Sequence, residues 1–153
     1  DYIYNQISGG EQPGEVTYAE AFAVQPFGNS LVTMTLTGAQ LDTVLEQQFD
    51  NPVAGQSRIL QVSNGFTYTW SAGAPVGSKV SGIVINAVPV DPGASYRVTV
   101  NSFLADGGDN FTVFAGITTP RLDGGIDLQA LTDYLGTFSP VAPPSIDRVN
   151  ELP

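Results

Sequence analysis

Four side chains have the types and spacing to hold a small flat ligand: Phe27, Asn29, Phe103 and Asp109. Phe103 and Asp109 belong to Asn101-Ser-Phe-Leu-Ala-Asp-Gly-Gly-Asp-Asn-Phe111, where Gly107-Gly108 separates the acids Asp106 and Asp109. Glycines let a backbone turn tightly and let a ligand approach closely. A loop just past a strand end is a common place for a binding site. Phe27 and Asn29 belong to Gln25-Pro-Phe-Gly-Asn29, where Pro26 and Gly28 call for a fixed turn. If the fold brings the two tips together, their rings clamp one flat heterocycle, and stacking contributes about 1–3 kcal/mol. Asp109 then accepts two hydrogen bonds from a vicinal diol. Asn29 offers a donor and an acceptor to the edge of the ring system. The alternative is that both loops are ordinary surface turns with core phenylalanines beside them.

Composition removes several chemistries. The chain has 153 residues, no histidine and no cysteine. The usual general base and the usual nucleophile activator are therefore missing. A zinc site built from Cys or His is excluded, while an Asp/Glu site for a hard cation stays open. The net charge is −10, and the five basic residues are scattered. No basic cluster suits duplex nucleic acid or an anionic membrane. Apolar runs are too short for a membrane span, and no signal peptide is read. The chain starts at Asp1-Tyr-Ile-Tyr, so it reads as a processed or excised piece. Asp106-Gly-Gly-Asp109-Asn110 fails as an EF-hand, because the position that needs a bidentate Glu holds Ile117. No phosphate-loop glycine pattern occurs. Asn110-Phe-Thr112 is a glycosylation sequon whose glycan would obstruct the loop, and it is discounted.

The elements that must position the four residues follow from local signals. Residues 1–15 read as a linker or loose hairpin. Thr17-Tyr-Ala-Glu20 has the capping-box pattern, predicting a helix from Tyr18 to about Val24 that Pro26 stops and that turns Phe22 and Ala23 inward. Leu31 to Leu36 alternates as a strand. Thr37-Gly-Ala-Gln40 opens a second helix to about Phe49, with Leu41, Val44 and Leu45 on one stripe. Strands are predicted over 58–63 and 66–70, joined by a type I′ turn at Asn64-Gly65. Further strands are read over 79–85 and 96–100, with a turn-rich connector over 86–93. A short helical turn follows at 111–115. Asp127 caps a last helix carrying Leu128, Leu131 and Leu135 and stopped by Gly136. The 140–153 stretch reads as an extended, proline-rich tail.

Helices and strand pairs are mixed without regular alternation. That predicts α+β architecture, with helices packed on a mixed, largely antiparallel sheet, in one domain over 16–149 and a tail at 150–153. Phe66, Tyr68 and Trp70 share one strand face. Sheet packing is the preferred reading; an exposed platform for a glycan-binding or adhesion module is the rival.

Four strings in order carry a resemblance: Val16-Thr-Tyr-Ala-Glu-Ala-Phe22, Gln25-Pro-Phe-Gly-Asn29, Ile59-Leu-Gln-Val-Ser63 and Asn101 to Phe111. Together they resemble the C-terminal domain of the 5′-nucleotidase family, from about residue 15 to Arg148. The resemblance implies a nucleotide-recognition domain that follows an N-terminal metallophosphoesterase domain. It implies that Phe27 and Phe103 hold the base, that Asp109 binds the ribose hydroxyls and that Asn29 touches the base edge. It further implies two divalent metals, zinc or manganese, with the catalytic residues in the other domain, and none in this chain. The implied ligand is a nucleoside 5′-phosphate or nucleoside, the implied partner is the parent's own catalytic domain, and the implied location is extracellular, cell-surface or periplasmic. A parent acting on 2′,3′-cyclic nucleotides or nucleotide sugars is the variant reading. The family's Asn-x-Gly-Gly-Ile-Arg loop is not found in this chain, which puts the anion-holding arginine in doubt and leaves the base and ribose contacts.

Overall fold

A computed structural model describes residues 12–153. Helix α1 (Tyr18–Val24) begins at Thr17 through a complete capping box. Thr17 Oγ accepts from the Glu20 amide at 3.3 Å, and Glu20 Oε2 accepts from the Thr17 amide at 2.7 Å. This reciprocal closure turns the Glu20 side chain inward. The buried face is therefore Glu20 and Ala21, while Phe22 and Ala23 are exposed, contrary to the expected orientation.

Strand β1 (Ser30–Thr37) alternates as its sequence predicts, burying Val32, Met34 and Leu36. A second complete capping box at Thr37 and Gln40 starts α2 (Gly38–Glu46). Its stripe of Leu41, Val44 and Leu45 packs into the core. Strand β2 (Phe66–Ser71) pairs antiparallel with β3 (Val80–Ile85), which pairs with the short β4 (Val88–Pro89). Strand β5 (Ser95–Asn101) runs antiparallel to β1 along its whole length. Two short helices follow, α3 (Ser102–Ala105) and α4 (Thr112–Ala115), separated by a single 3₁₀ turn over Gly108–Asn110. Strand β6 (Leu122–Ile126) leads into α5 (Asp127–Phe138), and β7 (Val149–Leu152) ends the chain.

The strands form two sheets, in the orders β5-β1-β6 and β4-β3-β2-β7. The first is antiparallel; the second is mixed, because β7 lies parallel to β2. The core joins β1, α2 and the loop after β5, with Met34, Leu36, Leu41, Phe111 and Phe114 all buried. A fully buried side chain of this size contributes about 1.5–3 kcal/mol relative to exposure. This is the α+β arrangement that the element order predicts. Among the described residues no helix is long and apolar enough to cross a membrane.

Several expectations need correction. Residues 58–63 join no ladder. Their backbone groups are satisfied elsewhere: the Arg58 amide donates to the Gln48 carbonyl, the Leu60 amide to Gln48 Oε1, and Arg148 Nη1 donates to the Val62 carbonyl. At Asn64-Gly65 only Gly65 has positive φ, so the turn is not type I′. Positive φ at both Asn86 and Ala87 instead puts the two-residue turn between β3 and β4. The Asp127 side chain is not the cap of α5; it is the first helical residue, and the helix runs through Gly136 to Phe138. Part of the expected 150–153 tail is paired in β7. The aromatic row forms no platform. Tyr68 is 1% exposed, and the half-buried Trp70 packs on Phe49 with ring centroids 5.2 Å apart. The expected linker at 1–15 lies, up to residue 11, outside the described residues.

Candidate functional site

The two loops singled out by residue type meet at one end of the first sheet. Asn29 immediately precedes β1, and its carbonyl accepts from the Asp127 amide at 2.9 Å. Ser102, the first residue of α3, accepts from the Ser30 amide at 3.2 Å and places its hydroxyl 3.4 Å from Asn29 Oδ1. These bonds fasten the turn carrying Phe27 beside the loop carrying Phe103.

The 102–111 loop is held from beneath. Asn101 caps α3 by accepting from the Leu104 amide at 2.8 Å. Arg121 donates to the carbonyls of Ala105 and Phe114 and pairs with Asp106 at 2.9 Å. Asp106 is thereby engaged by Arg121, whereas Asp109 borders the cleft. The backbone reaches Asp109 through left-handed conformations, with φ of 87° at Gly107 and 52° at Asp109. The buried Asn51 fixes that geometry, because its Nδ2 donates to the Asp109 carbonyl at 2.5 Å and to the Gln47 carbonyl at 2.9 Å. A Cβ at Gly108 would lie 2.6 Å from the Phe103 ring and 2.6 Å from the Phe103 carbonyl oxygen. Only glycine lets this ring lie so close to the loop.

Phe27, Asn29, Phe103 and Asp109 all line one cleft of about 570 Å³. That volume lies within the range of small-molecule sites. Phe27 is 82% exposed and Phe103 51% exposed. Neither ring is sunk into the core, which decides against the burial alternative for both. A larger cavity of about 690 Å³ opens beside β5. Its walls include Val62, Tyr96 and Val98 but no carboxylate, so the smaller cleft is the better candidate site.

Arg58, Ile59 and Leu60 also line the cleft, and nothing in the sequence marked them for it. Arg58 Nη1 lies 2.6 Å from Asp109 Oδ2. Nothing local announces that pair, since its members are remote in sequence. The only signal was the 59–63 string, which entered the resemblance without a role. The resemblance places its two divalent metals in the other domain; among the described residues of this chain no group of three or more potential metal-ligating side chains is assembled.

Comparison with known proteins adds an independent line. The family profile described as "5'-nucleotidase, C-terminal domain" matches residues 3–116. A trifunctional nucleotide phosphoesterase protein of Bacillus subtilis is 30% identical over 152 residues, covering 95% of this chain and 10% of that protein. A cell wall protein of Listeria monocytogenes is 35% identical over 102 residues, covering 65% of this chain and 13% of its own length. The crystal structure of a 5′-nucleotidase precursor from Thermus thermophilus superposes with a TM-score of 0.80 at 36% identity, covering 90% of this chain and 28% of that one. The chain thus spans between about a tenth and a little over a quarter of these relatives. With the profile covering well over half of its residues, the chain belongs to the 5′-nucleotidase C-terminal domain family.

Proposed function

We propose that this chain is the nucleotide-recognition domain of a 5′-nucleotidase acting outside the cytoplasm. The base stacks between Phe27 and Phe103, Asp109 accepts the ribose hydroxyls, and Asn29 meets the base edge. What carries the reading is the cleft itself: two well-exposed phenylalanines and one carboxylate share its walls. Exposed aromatic faces hold any base by stacking, worth about 1–3 kcal/mol each by truncation. A carboxylate is the natural acceptor for a vicinal diol.

The division of labour follows from residue types. This chain contains no histidine or cysteine, so its own part is binding and orientation. The phosphate chemistry and its two divalent metals, zinc or manganese, belong to an N-terminal catalytic domain of the whole protein. The substrate is a nucleoside 5′-phosphate. A whole protein acting on 2′,3′-cyclic nucleotides or nucleotide sugars would use the same base and ribose contacts, and the phosphoesterase relative favours that breadth. A relative named as a cell wall protein supports an extracellular, surface or periplasmic location.

Titration of adenosine into the chain tests the binding role. Binding on the order of millimolar is expected, with Phe27→Ala and Phe103→Ala each weakening it about tenfold. Unchanged binding in both variants rules out the clamp. The purified chain is expected to release no phosphate from AMP; metal-dependent release would overturn the division of labour.

A further inference from the structure

We infer that Arg58 is a positioning residue for ribose recognition, holding the Asp109 carboxylate in the one orientation that can accept a vicinal diol. The inference rests on the proposed reading of the cleft and adds a residue to it. Its starting observation is the 2.6 Å contact between Arg58 Nη1 and Asp109 Oδ2, on the wall of the cleft that holds both phenylalanines.

The pair differs from an ordinary surface ion pair in how its two ends are mounted. The Arg58 amide donates to the carbonyl of Gln48 at 2.8 Å, and Gln48 is fully buried. The Asp109 carbonyl accepts from the buried Asn51 at 2.5 Å. Gln48 and Asn51 stand close together just after α2, so one short segment supports both partners. Two fixed backbones leave only the side chains to be ordered, and each orders the other.

Among the described residues only one carboxylate oxygen, Oδ2, is engaged. Each carboxylate oxygen accepts more than one hydrogen bond. A diol can therefore reach Oδ1 and the remaining lone pair of Oδ2 without displacing the guanidinium. The contact is monodentate, one guanidinium nitrogen on one carboxylate oxygen, so it anchors Oδ2 and leaves Oδ1 unengaged. A partly exposed ion pair contributes little to global stability. Its benefit to the site is preorganisation, since the carboxylate is already ordered before the ligand arrives.

The test compares adenosine with 2′,3′-dideoxyadenosine, which keeps the base and lacks the diol. Both are titrated into the wild-type chain, Arg58→Ala and Arg58→Lys. Arg58→Ala is expected to weaken adenosine about fivefold and to leave the dideoxy ligand within about twofold. Arg58→Lys, which keeps the charge but not the fork, should recover part of the loss. In an Asp109→Ala background, Arg58→Ala should have no further effect on adenosine. The urea midpoint should barely move. An equal loss on both nucleosides would mark a structural role and overturn the inference, as would unchanged adenosine binding in Arg58→Ala. If the wild-type chain binds neither nucleoside, the cleft reading fails first and the inference falls with it. If the wild-type chain binds both and Phe27→Ala weakens both, the reading stands and the Arg58 result alone decides.

Discussion

The Tyr68 hydroxyl donates to Oε1 of Gln48 at 2.9 Å, and both side chains are buried. The same oxygen accepts from the Leu60 amide at 2.5 Å, while Gln48 Nε2 donates to the Leu45 carbonyl at 2.7 Å. One amide thus joins the end of α2, strand β2 and the wall of the cleft. Replacing it by an apolar group leaves the part-buried Leu60 amide unpaired, at about 1–3 kcal/mol, while the Tyr68 hydroxyl keeps the Leu60 carbonyl as an acceptor at 3.1 Å. Gln48→Leu should therefore lower the urea unfolding free energy by at least that amount. It should also weaken adenosine binding, because the 58–60 segment loses its tie. A variant of wild-type stability would show that the network is dispensable.

The same pair predicts a limit at alkaline pH. Burial pushes the Tyr68 phenol above its ordinary value of 10.0. Above pH 10 the unfolded chain releases this proton while the folded chain retains it. The stability it contributes is full below 10 and falls as pH rises through the raised value. Urea midpoints measured from pH 9 to 11.5 should fall more steeply in the wild type than in Tyr68→Phe. Parallel curves would contradict the assignment.

Gly108→Ala tests how the Phe103 ring is seated. The added methyl would meet the ring and the Phe103 carbonyl at 2.6 Å, and the carbonyl cannot swing aside as a side chain can. Overpacking of this kind costs about 1–3 kcal/mol. Urea unfolding should show that loss, and adenosine titration should show weakened binding as the ring is displaced. Wild-type affinity in this variant would mean that ring placement is irrelevant to the ligand.

Thr37→Ala serves as the contrasting case. Thr37 Oγ accepts from the Gln40 amide at 3.2 Å as the cap of α2. Loss of such a cap costs about 1 kcal/mol. Stability should fall by that amount while adenosine affinity holds, since the cap touches no wall of the cleft. A parallel loss of affinity would show that binding merely tracks global stability.

What could be read from the sequence was mostly local. Both capping boxes were legible because cap and partner lie three residues apart, and both are complete in the structure. The alternating 31–36 run was legible because one face of β1 is buried. Strand β6 was not, since Leu-Asp-Gly-Gly-Ile carries no β-branched run and its extended form is imposed by pairing with β1. Residues 58–63 misled in the opposite direction: an apolar run suited to a ladder is tied down by Gln48 and Arg148 instead. At the cleft, Phe27, Asn29, Phe103 and Asp109 stood out because each sits beside glycine, proline or an element end. Arg58 did not, because an isolated arginine reveals its partner only once the chain has folded.

The central claim is that Phe27 and Phe103 hold a nucleobase between them. A crystal structure of the chain grown with adenosine tests it most directly. The account predicts the purine between the two rings, with the ribose hydroxyls on Asp109 and the Arg58 contact intact. Adenosine ordered elsewhere on the surface, or lying against neither ring, would contradict it.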